Sequence, residues 1–379
     1  MDFELSEDQQ MIRDMAREAA EKVLAPRAAE LDRLGVFPRE NLEALAELGF
    51  MGVMVPEALG GAGLGNLELA LILEEVNRGC ASTGVTLSVH NSLVVGAFLI
   101  FGNDEQKSSY LPRLASGEWL GAYALTEPET GSDAASVSLQ ARPDGDAYVL
   151  NGTKVMITSG AEADLVIVMA RTGPGERSKG ITAFAVEKGT PGFQPGKREE
   201  KMGIRSSDTS ELVFEDCRVP ASAIVGELGG GFKIAMTVLD GGRIGIASQA
   251  LGIGRASLEA SVRYAKEREQ FQRPLAKFQA IQWMIAETAS RLDAARLLTH
   301  RAAWLKDRGK PHTTEASMAK LLAAEAANKA SWQAVQIHGG AGYTTEFPVE
   351  RMFRDARITR LYEGTDEIQK IVISRAYLR

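Results

Sequence analysis

Tyr148-Val149-Leu150-Asn151-Gly152-Thr153-Lys154-Val155-Met156-Ile157 is the stretch that decides the fold. β-branched and aromatic residues flank an Asn-Gly pair, which reads as a hairpin turning at Asn151-Gly152. Working outward, Pro143-Asp144-Gly145 is a turn. Leu120 to Leu125, Leu165 to Ala170, Ile181 to Val186 and Leu212 to Phe214 are further short strands. An antiparallel β unit, two packed sheets or a small barrel, is therefore expected over residues 119–228. On both sides the period changes to that of helices.

Before it, residues 1–118 read as a helical unit. Ser6 to Gln9 fits a capping box, Met11, Ile12, Met15, Ala19 and Val23 share one face, and Pro26 is expected to stop that helix. A helix from Pro38 to Leu48 closes at Gly49. The glycine-rich run Pro56 to Gly65 has no Walker lysine and reads as a turn. Asn66 to Cys80 and the almost wholly apolar Ala81 to Phe101 follow, the latter suited to a bundle interior. After the β unit, residues 229–379 read as a bundle of long helices: Phe232 to Glu269, broken at Gly241-Gly242, then Phe278 to Arg308, Thr313 to His338, Pro348 to Ala356 and a terminal helix capped by Thr365. This order leaves a crevice where sheet meets helices, a favoured place for a ligand.

Composition narrows the function. A chain of 379 residues needs more than one core. Its net charge of −7 disfavours nucleic acid as partner. Two cysteines in unlike contexts give no disulfide framework and point to a reducing compartment; four histidines without ligand spacing give no metal site. No run reaches the ~18 to 20 apolar residues of a membrane span. The acidic start, Met1 to Glu4, carries no targeting pattern, so a cytoplasmic location is expected.

Four stretches have chemical potential. Glu363 sits beside Gly364 ahead of a helix, where a shielded carboxylate would rise toward neutral pKa and serve as a base, or simply cap and solvate that helix. Tyr123 to Asp133 ends a strand in a polar loop, able to bind a heterocycle or diphosphate, or to be an ordinary turn. Gln336 to Tyr343 ends a helix in glycines, as a C-cap or as backbone drawn close to a cofactor. Arg268 suits phosphate, or a helix C-terminus.

Taken together and in order, seven motifs resemble the acyl-CoA dehydrogenase family of flavoproteins across essentially the whole chain. They are YALTEPETGSD (123–133), NGTKVMITSG (151–160), KMGIRSSDTSELVFEDCRVP (201–220), LDGGR (239–243), REQF (268–271), QIHGGAGY (336–343) and YEGTDEIQ (362–369). The resemblance implies an N-terminal helical domain, a central β domain and a C-terminal four-helix bundle.

It also implies FAD and an acyl-CoA substrate oxidised between Cα and Cβ. Glu363 would take the α proton, and its amide would help hold the thioester oxygen. Tyr123, Leu125, Thr126, Gly131, Ser132, Ile157 and Thr158 would line the flavin. Arg268, Gln270, Phe271, Gln279, Gln336, Ile337, Gly339 and Gly340 would reach the FAD of a neighbouring subunit in a homotetramer, and Thr365 and Glu367 the adenosine half. Ser132, Asp240, Arg243, Glu363 and Gly364 would border the substrate channel. Some branches of the family carry their base where this chain has Gly242, and many members have an aromatic residue in place of Met156. The run Ala81 to Phe101 is most similar to butyryl-type members, which favours short straight chains over medium or branched ones. Electrons would pass to an electron-transfer flavoprotein; an oxygen-reactive or a non-catalytic relative is the alternative.

Overall fold

The computed structural model describes residues 3–173 and 178–378. The first two residues of the acidic start lie outside them. Seven helices open the chain: α1 Glu7–Ala19, α2 Ala25–Leu34, α3 Arg39–Glu47, α4 Asn66–Gly79, α5 Ala81–Val89, α6 Gly96–Phe101 and α7 Asp104–Ala115. The Ser6–Gln9 capping box forms as expected. Pro26 does not stop the helix. A π segment, Ala20–Leu24, widens the coil just ahead, and Pro26 falls in the first turn of α2, where its missing N–H costs nothing. A second π segment, His90–Val95, joins α5 to α6, so Ala81–Phe101 is one rod of 21 residues. It is long and apolar enough to cross a membrane, although none of its runs is uninterruptedly apolar; 83% of its most apolar window is buried inside the protein.

Eight strands follow: β1 Gly121–Ala124, β2 Gln140–Asp144, β3 Ala147–Thr158, β4 Leu165–Arg171, β5 Ile181–Glu187, β6 Phe193–Arg198, β7 Thr209–Pro220 and β8 Ile224–Val225. They hydrogen-bond in the order β6-β7-β3-β2-β4-β5-β8, with β1 beside β4. Most ladders are antiparallel; β1 and β2 run parallel to β4. The two halves of the sheet meet at one residue pair, Gln140 with Arg171. Leu150, Ile157 and Phe214 from one half and Val166, Val168 and Phe184 from the other share a core, so the sheet folds over on itself.

The opening stretch is not a hairpin. Residues 147–158 form one strand, and the turn lies earlier, at Gly145-Asp146 between the paired Asp144 and Ala147. Asn151-Gly152 instead makes a bulge opposite Asp216: the Asn151 amide donates to Asp216 Oδ1 at 3.1 Å and accepts its backbone N–H at 2.8 Å. Gly152, at φ 141°, is the residue type that this geometry accepts.

Five helices complete the chain: α8 Gly231–Glu267, α9 Gln279–Asp307, α10 Thr313–His338, α11 Val349–Ile358 and α12 Asp366–Tyr377. Two two-residue strands, Glu269–Gln270 and Arg273–Pro274, pair within the α8–α9 connection. The Gly241-Gly242 pair does not interrupt α8. α10 packs along α8 through a seam of alanines, including Ala247, Ala250, Ala319, Ala323 and Ala327. α5, α6, α8 and the inner strands β1, β4 and β5 meet in a shared core, which fixes the crevice between sheet and bundle.

Candidate active site

The site begins with strained backbone. Between α11 and α12, Glu363 has φ 54° and Gly364 φ 87°. For a glutamate the left-handed region costs roughly 1–2 kcal/mol, so the surroundings must hold it. They do. Gln369 Nε2 donates to the carbonyls of Glu363 (3.0 Å) and Gly364 (2.9 Å), and Lys320 Nζ donates to Gly364 O at 2.9 Å. The Tyr362 hydroxyl donates to Gln249 Oε1 on α8, and Thr365 caps α12 by accepting from Ile368 N.

This turn aims the Glu363 carboxyl at α8. A methyl group on Gly242 would lie 2.5 Å from Glu363 Oε2. With a larger residue at 242 the carboxyl would have to swing out of this position. Oε2 is shielded from solvent and has no hydrogen-bond partner among the described residues. Burial pushes the carboxyl up to about 7, against the opposing pull of Arg243 and Lys320. Gly242→Ala should therefore keep the fold and bound flavin yet slow substrate-driven flavin reduction about tenfold or more, since misplacing a reacting group by an ångström can cost up to ~100-fold. Stopped-flow bleaching measures this, and an unaltered rate would refute the packing argument.

Glu363 opens into a cavity of about 780 Å³. One wall is the strand end and its loop: Tyr123, Leu125, Thr126, Gly131 and Ser132, with Met156, Ile157 and Thr158 from β3. The facing wall is largely apolar, with Val89 and Leu93 from the buried rod and Phe232, Met236, Leu239, Arg243 and Ile246 from α8. Residues 361–365 and the outer face of α12 close one side. Met156 sits at φ 58°, in the register shift between Lys154 and Ile157, and is 60% exposed to the cavity side. The Tyr123 hydroxyl is buried without a hydrogen-bond partner among the described residues, and burial, helped by the Glu363 charge, holds it well above its ordinary pKa.

The polar wall is fixed by a buried ion pair. Lys154 Nζ lies 2.7 Å from Glu127 Oε1 and donates to Leu125 O at 3.0 Å. Glu127 also accepts from Ser138 N (2.7 Å), Ser138 Oγ (2.6 Å) and Leu139 N (3.0 Å). Burial by itself would raise the Glu127 carboxyl, but Lys154 and these donors hold it below its usual value; burial brings Lys154 down to about 8.

The cavity thus gathers Tyr123, Leu125, Thr126, Gly131, Ser132, Ile157, Thr158, Arg243, Glu363, Gly364 and Thr365 from the expected set. Asp240 stands behind this wall, binding Arg243 Nη1 at 2.8 Å and accepting from Thr313 Oγ1 at 2.6 Å. Glu367 points to solvent on α12. Arg268, Gln270, Phe271, Gln279, Gln336, Ile337, Gly339 and Gly340 are absent from the cavity walls. They belong to adjoining helix ends: Tyr264, just before Arg268, stacks on His338 at 4.2 Å between ring centroids. Within that group Phe271 is 86% exposed.

Sequence reading missed Lys154, Glu127, Lys320 and Gln369. The signal was there for two of them. Lys154 interrupts an apolar strand beside a motif rich in acids, and Lys320 falls on the alanine-lined face of α10 with Ala316, Ala323 and Ala327, all buried. A lysine at a core position needs a buried partner.

The residues fit a flat heterocycle on the hydrogen-bonding wall: nothing stands within 4 Å of where a side chain on Gly131 would begin, and an acyl chain could run along the apolar face. The sequence matches the acyl-CoA dehydrogenase N-terminal domain over residues 6–118, the middle domain over 122–217 and the C-terminal domain over 229–378. The chain belongs to the acyl-CoA dehydrogenase family of FAD-dependent oxidoreductases. Among its relatives, the mitochondrial short-chain specific acyl-CoA dehydrogenase of Rattus norvegicus is 53% identical over 376 residues, 99% of this chain and 91% of the relative. The butyryl-CoA dehydrogenase structure from Megasphaera elsdenii matches with a TM-score of 0.98 at 46% identity, covering both chains completely. A chain from a structure described as the electron transferring flavoprotein of Acidaminococcus fermentans matches with a TM-score of 0.99 at 50% identity, also with full coverage of both.

Proposed function

We propose that this chain is a short-chain acyl-CoA dehydrogenase that converts a straight-chain acyl-CoA to the trans-2-enoyl-CoA and passes the electrons to an electron-transfer flavoprotein. The observation that carries the reading is the unpartnered Glu363 Oε2, held by a strained turn at the wall of a cavity whose opposite side is apolar. A carboxylate that titrates near 7 is matched to removing a weakly acidic α proton at neutral pH. FAD, when bound, supplies the two-electron acceptor for the β hydrogen, which leaves with its electron pair as the C=C bond forms. Glu363 keeps the α proton, its backbone amide polarises the thioester oxygen, and the apolar walls exclude water from the reacting carbons.

Tyr123, Leu125, Thr126, Gly131, Ser132, Ile157 and Thr158 are the residues that would hold the flavin, with Thr365 and Glu367 toward the adenosine half. Ser132, Arg243 and Gly364 border the thioester and CoA channel, with Asp240 behind them holding Arg243. The helix-end group from Arg268 to Gly340 would serve the FAD of a neighbouring subunit. Its exposed Phe271 is consistent with a surface that a second copy covers. The same reading puts the enzyme in the cytoplasm as a homotetramer. Val89 and Leu93, projecting from the rod beneath the cavity, favour a short acyl chain.

Anaerobic flavin bleaching across acyl-CoAs from butyryl to dodecanoyl tests the reading. The fastest reduction is expected at four to six carbons, falling by about 10-fold or more by twelve; each methylene changes pocket binding by only ~1–3 kcal/mol. A maximum at octanoyl or longer would reject the short-chain assignment, and no bleaching with any ester would reject the dehydrogenase.

A further inference from the structure

We propose that Lys320 is the positioning residue of the Glu363 turn: from α10 it pins the Gly364 carbonyl and sets a buried cation behind the carboxyl that receives the α proton. The inference rests on Glu363 being the base. Four observations carry it. The Lys320 side chain is wholly buried, which a lysine tolerates only where its charge is used. Its Nζ donates to Gly364 O at 2.9 Å, one of the two carbonyls that the left-handed backbone at 363 and 364 presents. Asp366 Oδ1 lies 3.7 Å away and is itself buried with no hydrogen-bond partner among the described residues; burial brings Lys320 down to about 8 against the pull of Asp366 and Glu363, so at pH 7 it is still mostly a cation. Asp366 is in turn held by Arg360 at 2.5 Å. A chain Arg360–Asp366–Lys320–Gly364 thus ties the start of α12 to the turn that precedes it.

Lys320 shares this task with Gln369, but the two differ in charge. Gln369 Nε2 grips both turn carbonyls and is neutral. Arg243 from α8 and Lys320 from α10 are the charged groups that pull the Glu363 carboxyl down; the hydroxyls of Tyr123 on β1 and Tyr362 beside it stay neutral and are themselves raised by its charge, and Asp366 faces Lys320. From the π segment of the rod, apolar Leu93 comes close to Gly242, beside the carboxyl. Of the two cations, Arg243 is already bound to Asp240 at 2.8 Å and to Ser317. Removing Lys320 should make the carboxylate harder to form, and removing Gln369 should loosen the turn without that electrostatic effect.

The test uses FAD-loaded Lys320→Met and Gln369→Leu, read in two ways. One is the pH profile of anaerobic bleaching. The other, without substrate, is the pH titration of the Glu363 carboxyl by infrared difference spectroscopy, with the band assigned by Glu363→Gln. Lys320→Met should move both the kinetic limb and the infrared titration to higher pH, lowering the rate about fivefold at pH 7 and recovering it at high pH. Gln369→Leu should lower the rate at every pH and leave the limb in place. If Lys320→Met does not fold, Lys320→Gln keeps a donor for Gly364 O but lacks the charge, and should give the same shift. An unmoved carboxyl titration in the Met or Gln variant would overturn the proposal. The base assignment fails separately, if Glu363→Gln itself still bleaches normally.

Discussion

Glu363→Gln should bind FAD normally and lose about 10²- to 10⁴-fold in the rate of flavin reduction by acyl-CoA, the range expected when a positioned general base is removed. The amide keeps the shape that fits against Gly242, so the loss isolates the proton acceptor from the packing. In the wild type the rate should rise with pH through about 7, where the carboxyl ionises. Stability should run the other way. The folded carboxyl has its pKa raised from 4.5 to about 7, so its contribution is fully present below 4.5 and is lost as pH rises through about 7. Ligand-free Glu363→Gln should therefore be more stable than the wild type at pH 8, by roughly 3 kcal/mol at most, with the gap closing toward pH 4.5. Urea denaturation at the two pH values gives the comparison. A variant that bleaches at the parental rate would show that this carboxyl is not the base, and a gap independent of pH would show that burial does not raise it.

Lys154→Met should destabilise the protein by about 3–5 kcal/mol, the usual result of leaving one member of a buried ion pair without the other. Lys154 and Glu127 are both nearly inaccessible, and Glu127 would retain only its Ser138 and Leu139 donors. FAD content should fall in parallel, because the loop carrying Thr126, Gly131 and Ser132 is tied to β3 by Lys154 and by Val155 N donating to Thr126 O at 2.9 Å. The double variant Lys154→Met/Glu127→Leu separates the two effects. It should regain most of the stability, since an apolar pair can replace a buried ionic one. It should still hold FAD weakly, since Ser138 and Leu139 lose their acceptor. Denaturation midpoints and flavin absorbance after gel filtration measure both. A Lys154→Met protein within 1 kcal/mol of the parent and fully yellow would refute this account of the wall.

Much of the fold could be read from local pattern. Helix starts at Ser6, Asn103 and Thr365, and the glycine stop at Gly49, follow from capping chemistry that involves only a few consecutive residues. The failures have a common cause. Pro26, Asn151-Gly152 and Gly241-Gly242 each carry a strong local signal for ending an element, and each lies inside a continuous one. A π segment accommodates Pro26, Asp216 across the ladder turns Asn151-Gly152 into a bulge, and the side-chain ends of Lys306 and Glu363 occupy the space that larger residues at 241 and 242 would take. Strands β2 and β6 were not visible, because Gln140–Asp144 and Phe193–Arg198 are mostly exposed and lack an apolar alternation.

The sequence by itself determined the order of helices, sheet and helices, the glycine-flanked glutamate, and the polar strand-end motif. Periodicity, capping and turn chemistry are properties of neighbouring residues, and they survive without the rest of the chain. The tertiary structure decided which of these groups share a cavity and which do not. It brought Gly242, Lys320 and Gln369 around Glu363, residues up to 121 positions from it, and left the Arg268 and Gly339 group at the exposed end of the bundle. A carboxyl becomes a base near neutral pH only when distant elements exclude water from it, and desolvation is a property of the packed molecule that no single stretch of sequence contains.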